Sequence, residues 1–314
     1  MRLGNIILKG LNASIGRYLD FWWEEKTKGW KLAIGDSSIN ASTAARGQYK
    51  YLWDAEVSVF SQNGEDGILN YICDKLELGK PSVIEVGAGN FTECNSRYLA
   101  EHRSANVLAV DSRTDLESTG SKLFVYTKTN LLTRTCWVTT ENINFLIEQA
   151  KIEFGEVDIF SLDLDGNDYW VLEAADLSGI KVIVVEFNPL LSKTLPVSVP
   201  KDEKFDRTMK HSSWVYYGAN LYAFIYLLEQ RDFIFIGTTR HGSNAFFIEK
   251  SHIGRFNLLR DDLVLFSDVR ARESRGENGE LTFTSADKRQ SLIADQPVVI
   301  VSTGKVVKIS ECWQ

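Results

Sequence analysis

Cysteine is scarce in this chain. Its four copies, Cys73, Cys94, Cys136 and Cys312, stand far apart, and none forms a CxxC pair. Such spacing argues against a cysteine-built zinc site or a disulfide framework, and it fits a reducing, cytoplasmic compartment. Cys94 follows a glycine-rich turn, but a free cysteine reads first as a small buried residue. Clustered positive charge is also missing. The 35 Lys and Arg are scattered among 42 Asp and Glu, for a net charge of −7. A protein that grips a phosphate backbone normally carries a basic patch, so no nucleic-acid partner is expected. Long apolar runs are absent too. Nothing approaches the roughly 18 residues of a membrane span, and Ile6-Ile7-Leu8 is too short for a leader.

What is present suits a globular α/β protein. The 314 residues are 44% hydrophobic, enough for one large domain with additions. Three parts are expected: an N-terminal helical extension over residues 1–55, a main domain over 56–250, and a C-terminal appendage over 251–314. In the extension, Leu11, Ile15, Tyr18, Leu19 and Trp22 recur at helical spacing. The apolar face of that helix has three candidate partners: the main domain, a second copy in a homo-oligomer, or a membrane surface, with packing inside the protein preferred. Ser37 to Gly47 is small and polar and reads as a loop.

The main domain opens with Ser61 as the expected N-cap of a helix reaching about Leu78, stopped by Gly79 and Pro81. Strands and helices then alternate. Strands are expected at 82–86, 106–110, 122–127, 158–164 and 181–187, and helices at 96–103, 143–154, 169–175 and 220–230. Two further strands, 233–237 and 244–249, lie close enough to pair antiparallel at a sheet edge. Alternation of this kind predicts a doubly wound, Rossmann-like sheet, mostly parallel, with right-handed crossovers. The closing strand pair is the pattern of a class I methyltransferase sheet. In the appendage, 297–302 and 305–309 predict a hairpin around Thr303-Gly304, and Arg270 to Gly279 reads as a charged loop.

Ligands of open α/β sheets bind beyond the carboxyl ends of the strands, where the winding reverses. There the first strand ends in Glu85-Val86-Gly87-Ala88-Gly89. Glycines let the backbone approach a ligand closely. The third glycine of a dinucleotide fingerprint is replaced by Thr92, and the P-loop Lys-Ser/Thr is missing. An acidic Glu85 suits a cationic ligand, and S-adenosylmethionine carries both an ammonium and a sulfonium. Asp111 closes the second strand and is placed to accept ribose hydroxyls. Asn130, read as following the third strand, is a candidate for the adenine edge. Asp163-Leu164-Asp165-Gly166-Asn167-Asp168 crowds three carboxylates that repel one another unless something uses them. Asp163 is expected to orient the methionine moiety. Asp165 with Asp168 is a candidate magnesium pair, while Asp168 has a competing reading as a helix cap. Glu186 at the end of the fifth strand extends the negative patch. His211, in the long connection Leu190 to Tyr217, is the first choice of base, with a solvent-facing loop histidine as the plain alternative.

Taken together, several motifs resemble the FkbM-type methyltransferase superfamily. They are Ser61-Gln62-Asn63-Gly64-Glu65-Asp66-Gly67, the glycine turn with Glu93-Cys94-Asn95, and Ser161 to Trp170 around the aspartate cluster. Val185-Glu186-Phe187-Asn188, Tyr217-Gly218-Ala219-Asn220-Leu221 and Asn244-Ala245-Phe246-Phe247 follow in the family's order. Where that family usually has D-x-E-G, this chain has Asp163-Leu164-Asp165-Gly166. The resemblance implies cofactor binding by the glycine turn, Glu85, Gly87, Ala88 and Gly89, and by Asp111; Gln62 and Asp163 are further candidates for the same site. It also implies O-methyl transfer from S-adenosylmethionine, often to a sugar or polysaccharide-biosynthesis intermediate. In that reading Asp165 or His211 serves as base. Two rivals stay open: a small-metabolite methyltransferase and a catalytically silent cofactor-binding scaffold. A nicotinamide oxidoreductase is disfavoured by the missing glycine.

Overall fold

A computed structural model of the chain describes residues 26–41, 49–124, 127–259, 274–282 and 286–313, with positions 16, 19, 22, 23 and 284. Leu11, Ile15 and Tyr18 of the expected extension helix lie outside the described residues. Leu19, Trp22 and Trp23 are helical, as is α1 over residues 26–41. The expected loop from Ser37 is therefore corrected in its first part: residues 37–41 complete α1, and 42–47 lie outside the described residues. Small polar residues do not end a helix whose Gly35 and Ile39 are packed against the domain.

The scaffold is α/β. Helix α2 (Glu65–Leu76) leads into β1 (Ser82–Val86), then α3 (Arg97–Arg103), β2 (Asn106–Asp111), α4 (Leu116–Leu123) and β3 (Leu131–Thr135). Next come α5 (Ile143–Phe154), β4 (Ile159–Leu162), α6 (Asp168–Ala174) and β5 (Val182–Glu186). A two-residue β6 (Val197–Ser198) and a short α7 (Arg207–Lys210) interrupt the long connection to α8 (Leu221–Glu229). Then β7 (Phe233–Thr238) and β8 (Asn244–Glu249) complete a seven-stranded sheet of order β3-β2-β1-β4-β5-β8-β7. The first five strands pair parallel, and β8 pairs antiparallel with both β5 and β7. This is a Rossmann-like winding whose direction reverses between β1 and β4.

The central strands are apolar on both faces because helices cover both. In β5, Ile183 and Val185 join the core beneath α5, α6 and α8, while Val182 and Val184 join the core beneath α2, α3 and α4. That alternation is the two-residue period of a strand, and burial on both faces removes any polar stripe.

Two boundaries differ from expectation. Ser61 does not cap α2. The helix starts at Glu65 after Gly64 in a left-handed conformation, and Ser61 Oγ instead accepts the Asp66 N–H at 3.0 Å. More consequentially, the expected strand 122–127 is not formed by its described residues, 122–124 and 127, and 125–126 lie outside the described residues. Lys122 and Leu123 end α4, and β3 lies later, at Leu131–Thr135. Lys122 to Thr127 offers β-prone residues, but α4 packs Leu116 and Leu123 into the core at helical spacing. β3 takes the edge of β2, with Val107 opposite Leu131, which is the place the expected strand was to fill.

The C-terminal hairpin forms as expected. Strands β9 (Pro297–Ile300) and β10 (Lys305–Lys308) pair antiparallel after α9 (Ala286–Leu292). It is not isolated, however. β6 pairs with β9, and Leu191, Val197, Val215 and Tyr217 share a small core with Ile293, Val298 and Ile309. The long connection is thus packed rather than loose, and the hairpin braces it from behind. Of the charged stretch Arg270 to Gly279, residues 270–273 lie outside the described residues. The remainder is a turn closed by an Arg275–Leu281 bridge.

Candidate functional site

The ends of β1, β2 and β4 open into a cleft of about 330 Å³. Its floor is the glycine turn. Gly87 and Ala88 both donate their N–H to the Val110 carbonyl, folding the turn over β2. Gly87 has φ +87°, and a Cβ there would lie 1.8 Å from the Asp163 carbonyl oxygen. Only glycine fits that contact. Gly89, at φ +58°, meets nothing within 4 Å, so its outer face is open to the cleft.

Asp111 fixes the opposite wall. Its Oδ2 accepts the Gly89 N–H at 2.8 Å and its Oδ1 the Arg113 N–H at 2.9 Å. Each carboxylate oxygen has more than one acceptor site, so both retain capacity for a ligand hydroxyl. Glu85 is different. It is buried and turned away from the cleft, taking the N–H groups of Asn95 and Ser96 at 2.6 and 2.9 Å. Burial pushes its carboxyl above the usual range. Its role here is to clamp the glycine turn to the start of α3. Ala88 is likewise buried, and neither residue lines the cleft. Gln62 is also absent from the lining; its amide donates to Glu93 at 3.3 Å. Cys94 is a core thiol, pushed up by burial.

Asn130 is corrected. It precedes β3 instead of following it, and its carbonyl accepts from Val107 at the start of β2. Its side-chain amide donates to Glu153 at 3.2 Å. The residue lies at the amino ends of the strands, away from the cleft. The segment that truly follows β3 is Cys136-Trp137-Val138, and all three line the cleft. Trp137 is half exposed and donates its Nε1–H to the Glu203 carbonyl at 2.7 Å. Sequence reading missed it because the third strand was set too early.

The aspartate turn after β4 forms the remaining side. Asp163, Leu164, Asp165 and Asn167 line the cleft. Asp165 sits at φ +54°, in the left-handed region that a short polar side chain tolerates best after glycine. Asp168 holds the turn from beneath: its two oxygens accept the N–H groups of Leu164 and Gly166 at 2.7 and 2.9 Å. Burial, reinforced by the Asp163 charge, pushes its carboxyl up to about 7. Asp168 is thus the first residue of α6 and a turn clamp, while Asn167 takes the capping position without a side-chain cap bond.

One oxygen each from Asp163, Asp165 and Glu186 falls within 4.8 Å of the other two. Hard oxygen donors so grouped suit a magnesium ion. Asp168, paired with Asp165 in the sequence reading, is not in this group, since loop N–H groups engage both its oxygens. A cation already stands at the cluster: Arg207 Nη1 on α7 meets Asp165 Oδ1 at 2.6 Å. The same guanidinium lies over the Tyr217 ring, 5.6 Å from its centroid. Burial, then the Glu186 and aspartate charges, raise the Tyr217 hydroxyl far above its ordinary range.

The connection carrying Arg207 is sewn to the aspartate turn. Asn167 donates to the Asp202 carbonyl at 2.6 Å, and Trp170 Nε1–H to that of Val199 at 2.9 Å. Gly166 packs under Phe205, whose ring would meet a Cβ at 2.3 Å. His211 stands outside the lining. The Ser213 N–H donates to its Nδ1 at 3.2 Å, Ser213 Oγ lies 2.7 Å from the same nitrogen, and burial lowers its pKa. Neither protein-family models nor curated protein sequences give a significant match to this chain.

Proposed function

We propose that the chain is an S-adenosylmethionine-dependent O-methyltransferase acting on a sugar or related hydroxyl compound. The observation that carries this reading is one cleft lined by Gly87, Gly89, Asp111 and Asp163 at the reversal of the sheet. The sheet itself supports it. A nicotinamide-type winding continues in parallel past β5, whereas here antiparallel β8 separates β5 from β7. The cleft also fits the cofactor. Gly89 leaves room for close approach, Asp111 keeps acceptor sites that ribose hydroxyls would use, and Asp163, which lines the same cleft, would hold the cationic amino-acid moiety. Trp137 offers a flat apolar wall for a base.

When bound, S-adenosylmethionine supplies a methyl carbon activated by its sulfonium. The protein's share is then positioning and proton transfer. Asp165 is the lining carboxylate best placed to take the acceptor's proton, with Arg207 fixing one of its oxygens. His211 ranks below it, because Ser213 holds its Nδ1 and it does not line the cleft. Asp163, Asp165 and Glu186 would hold magnesium, which polarises a hydroxyl. Arg207 already offsets part of the same negative charge.

One observation favours a second reading. An Asp165–Arg207 pair that only braces the fold suits a silent cofactor-binding scaffold. Incubation with methyl-labelled S-adenosylmethionine and a panel of sugars and nucleotide sugars separates the two. Label transfer to a hydroxyl supports the enzyme; cofactor binding without transfer to any acceptor supports the scaffold.

A further inference from the structure

The chain leaves the small C-terminal core at Val199 and returns to it at Ser213. Val199 donates its N–H to the Gly218 carbonyl at 2.9 Å, Ser198 bridges Ala219, and β6 is paired with β9. Pro200 has no N–H with which to extend that pairing. On the return, Ser213 and Val215 are buried, and Asn188 donates to the carbonyls of Val215 and Tyr217 at 3.0 and 2.9 Å. The Ser213 carbonyl also accepts the Arg275 N–H at 3.1 Å. Val199 and Val215 share one core, so both ends of the loop are anchored together. Trp214, beside the second end, holds φ +60°. That conformation is costly for a bulky residue, and such strain collects where a chain switches.

The stretch between those ends is held differently. Phe205 is the one buried residue from 200 to 212, and α7 buries none of its side chains. The Phe205 ring lines the cleft and rests on Gly166. The loop's other contacts with the cleft walls are polar and close to solvent. Beyond β3, Trp137 donates to the Glu203 carbonyl at 2.7 Å. Thr140 Oγ1 donates to Glu203 Oε1 at 2.8 Å and accepts from the Lys201 ammonium at 2.9 Å. At the aspartate turn, Asn167 and Asp202 exchange a pair of bonds at 2.6 and 3.2 Å, and Arg207 meets Asp165 at 2.6 Å. The loop thus crosses from one wall to the other with a single aromatic ring turned down into the cleft.

A loop with anchored, adjacent ends and a thinly attached middle opens as a unit, well before the sheet does. Polar contacts near solvent each contribute little, so opening must break one buried ring's packing and a few weak bonds. Phe205 and Arg207 ride on the same segment. Breaking those contacts therefore uncovers the cleft along Phe205 and takes Arg207 from Asp165 in one movement.

We propose that residues 200–212 form a flap over the cleft, hinged beside Val199 and Ser213, whose lifting admits a ligand and whose closing returns Arg207 to Asp165. The flap acts whatever the cleft binds, so its test needs no cofactor. Amide hydrogen exchange of the full chain is followed at Met209 and Lys210, whose N–H groups bond the Asp206 carbonyl. Alkylation is followed at Cys136, which lines the cleft, whereas Cys73, Cys94 and Cys312 are buried. Fluorescein maleimide is the bulky probe and iodoacetamide the small comparison. Thr140→Val frees Glu203 from outside the cleft lining. Exchange and maleimide labelling are both expected to rise roughly threefold in it, as suits the loss of partly exposed hydrogen bonds. In Phe205→Ala the rise should be at least about tenfold, since the one buried ring is lost. Iodoacetamide labelling should change less in both. A cooperative unfolding transition shows that each variant is folded, and Thr140→Val decides alone if Phe205→Ala is not. Faster exchange confined to residues beside Glu203 overturns the proposal, for the segment then does not move as one. Unchanged maleimide labelling in Thr140→Val also overturns it, for the segment then does not govern entry.

Discussion

The Asp163 carbonyl oxygen lies where a side chain at Gly87 would have to stand, 1.8 Å from an ideal Cβ. The end of β4 and the glycine turn after β1 are thereby locked together, and the cleft is built across that contact. Substituting Gly87→Ala imposes both a left-handed alanine and a clash with main chain. A loss of roughly 2–5 kcal/mol in urea unfolding is expected. Gly89→Ala is the comparison: its φ is also positive, but nothing lies within 4 Å. Its loss should stay near 1–2 kcal/mol. Equal losses at the two positions would show that the close contact does not govern the turn.

Asp168 gives the aspartate turn a pH dependence. Its folded carboxyl is raised to about 7 by burial and by Asp163, from the ordinary aspartate value of 3.8. Between those values the folded state keeps a proton that the unfolded chain releases. Its contribution to stability is therefore greatest below pH 4 and declines as pH rises towards 7, by at most about 1.4 kcal/mol per unit. Buried Asp66, raised to about 6, adds a slope of the same sign at its own site. The relevant quantity is thus the difference between wild type and Asp168→Asn, measured by urea unfolding from pH 4 to 8. That variant should be less stable at low pH by roughly 1–3 kcal/mol, because its NH₂ cannot accept an N–H. The deficit should shrink as pH rises. A constant deficit would show that Asp168 is ionised throughout.

Much of the scaffold was legible in the residues. Strands 82–86 and 181–187 stand out because Val and Ile crowd positions buried on both faces. The antiparallel pair and the C-terminal hairpin stand out because short turns separate them. The third strand was not legible. Leu131–Thr135 includes Thr133, Arg134 and Thr135, and its residues are only partly buried, as suits an edge. Its apolar signal is weaker than that of the preceding Leu123-Phe124-Val125-Tyr126. That displacement moved Asn130 into the site on paper and kept Trp137 out of it. Asp163 and Asp165 were readable as a crowded acidic turn. The partner at that turn, Arg207, was hidden because some forty residues of chain separate it from Asp165.

Trp137 follows from placing β3 correctly, and it carries a prediction. If its ring walls the base of the bound cofactor, Trp137→Ala should weaken S-adenosylmethionine binding roughly tenfold, the worth of about one aromatic stacking contact. Circular dichroism should remain unchanged, because the side chain is half exposed. Unaltered affinity in a folded variant would remove Trp137 from the cofactor site.

Asp165 separates chemistry from binding. Asp165→Asn retains the shape of the side chain but cannot accept a proton at neutral pH. Turnover should fall by about 100-fold or more while cofactor affinity changes little. His211→Asn should leave most activity, since that ring does not line the cleft. The reverse ranking of the two variants would return the role of base to His211.

The central claim is that this cleft binds S-adenosylmethionine, and calorimetric titration tests it most directly. The purified chain is titrated with S-adenosylmethionine, with its demethylated product and with NAD, each with and without magnesium. Saturable binding of the first two, weakened by Asp111→Ala and not shared by NAD, is the predicted result. Absence of binding by either, in a protein with a cooperative unfolding transition, would contradict the account.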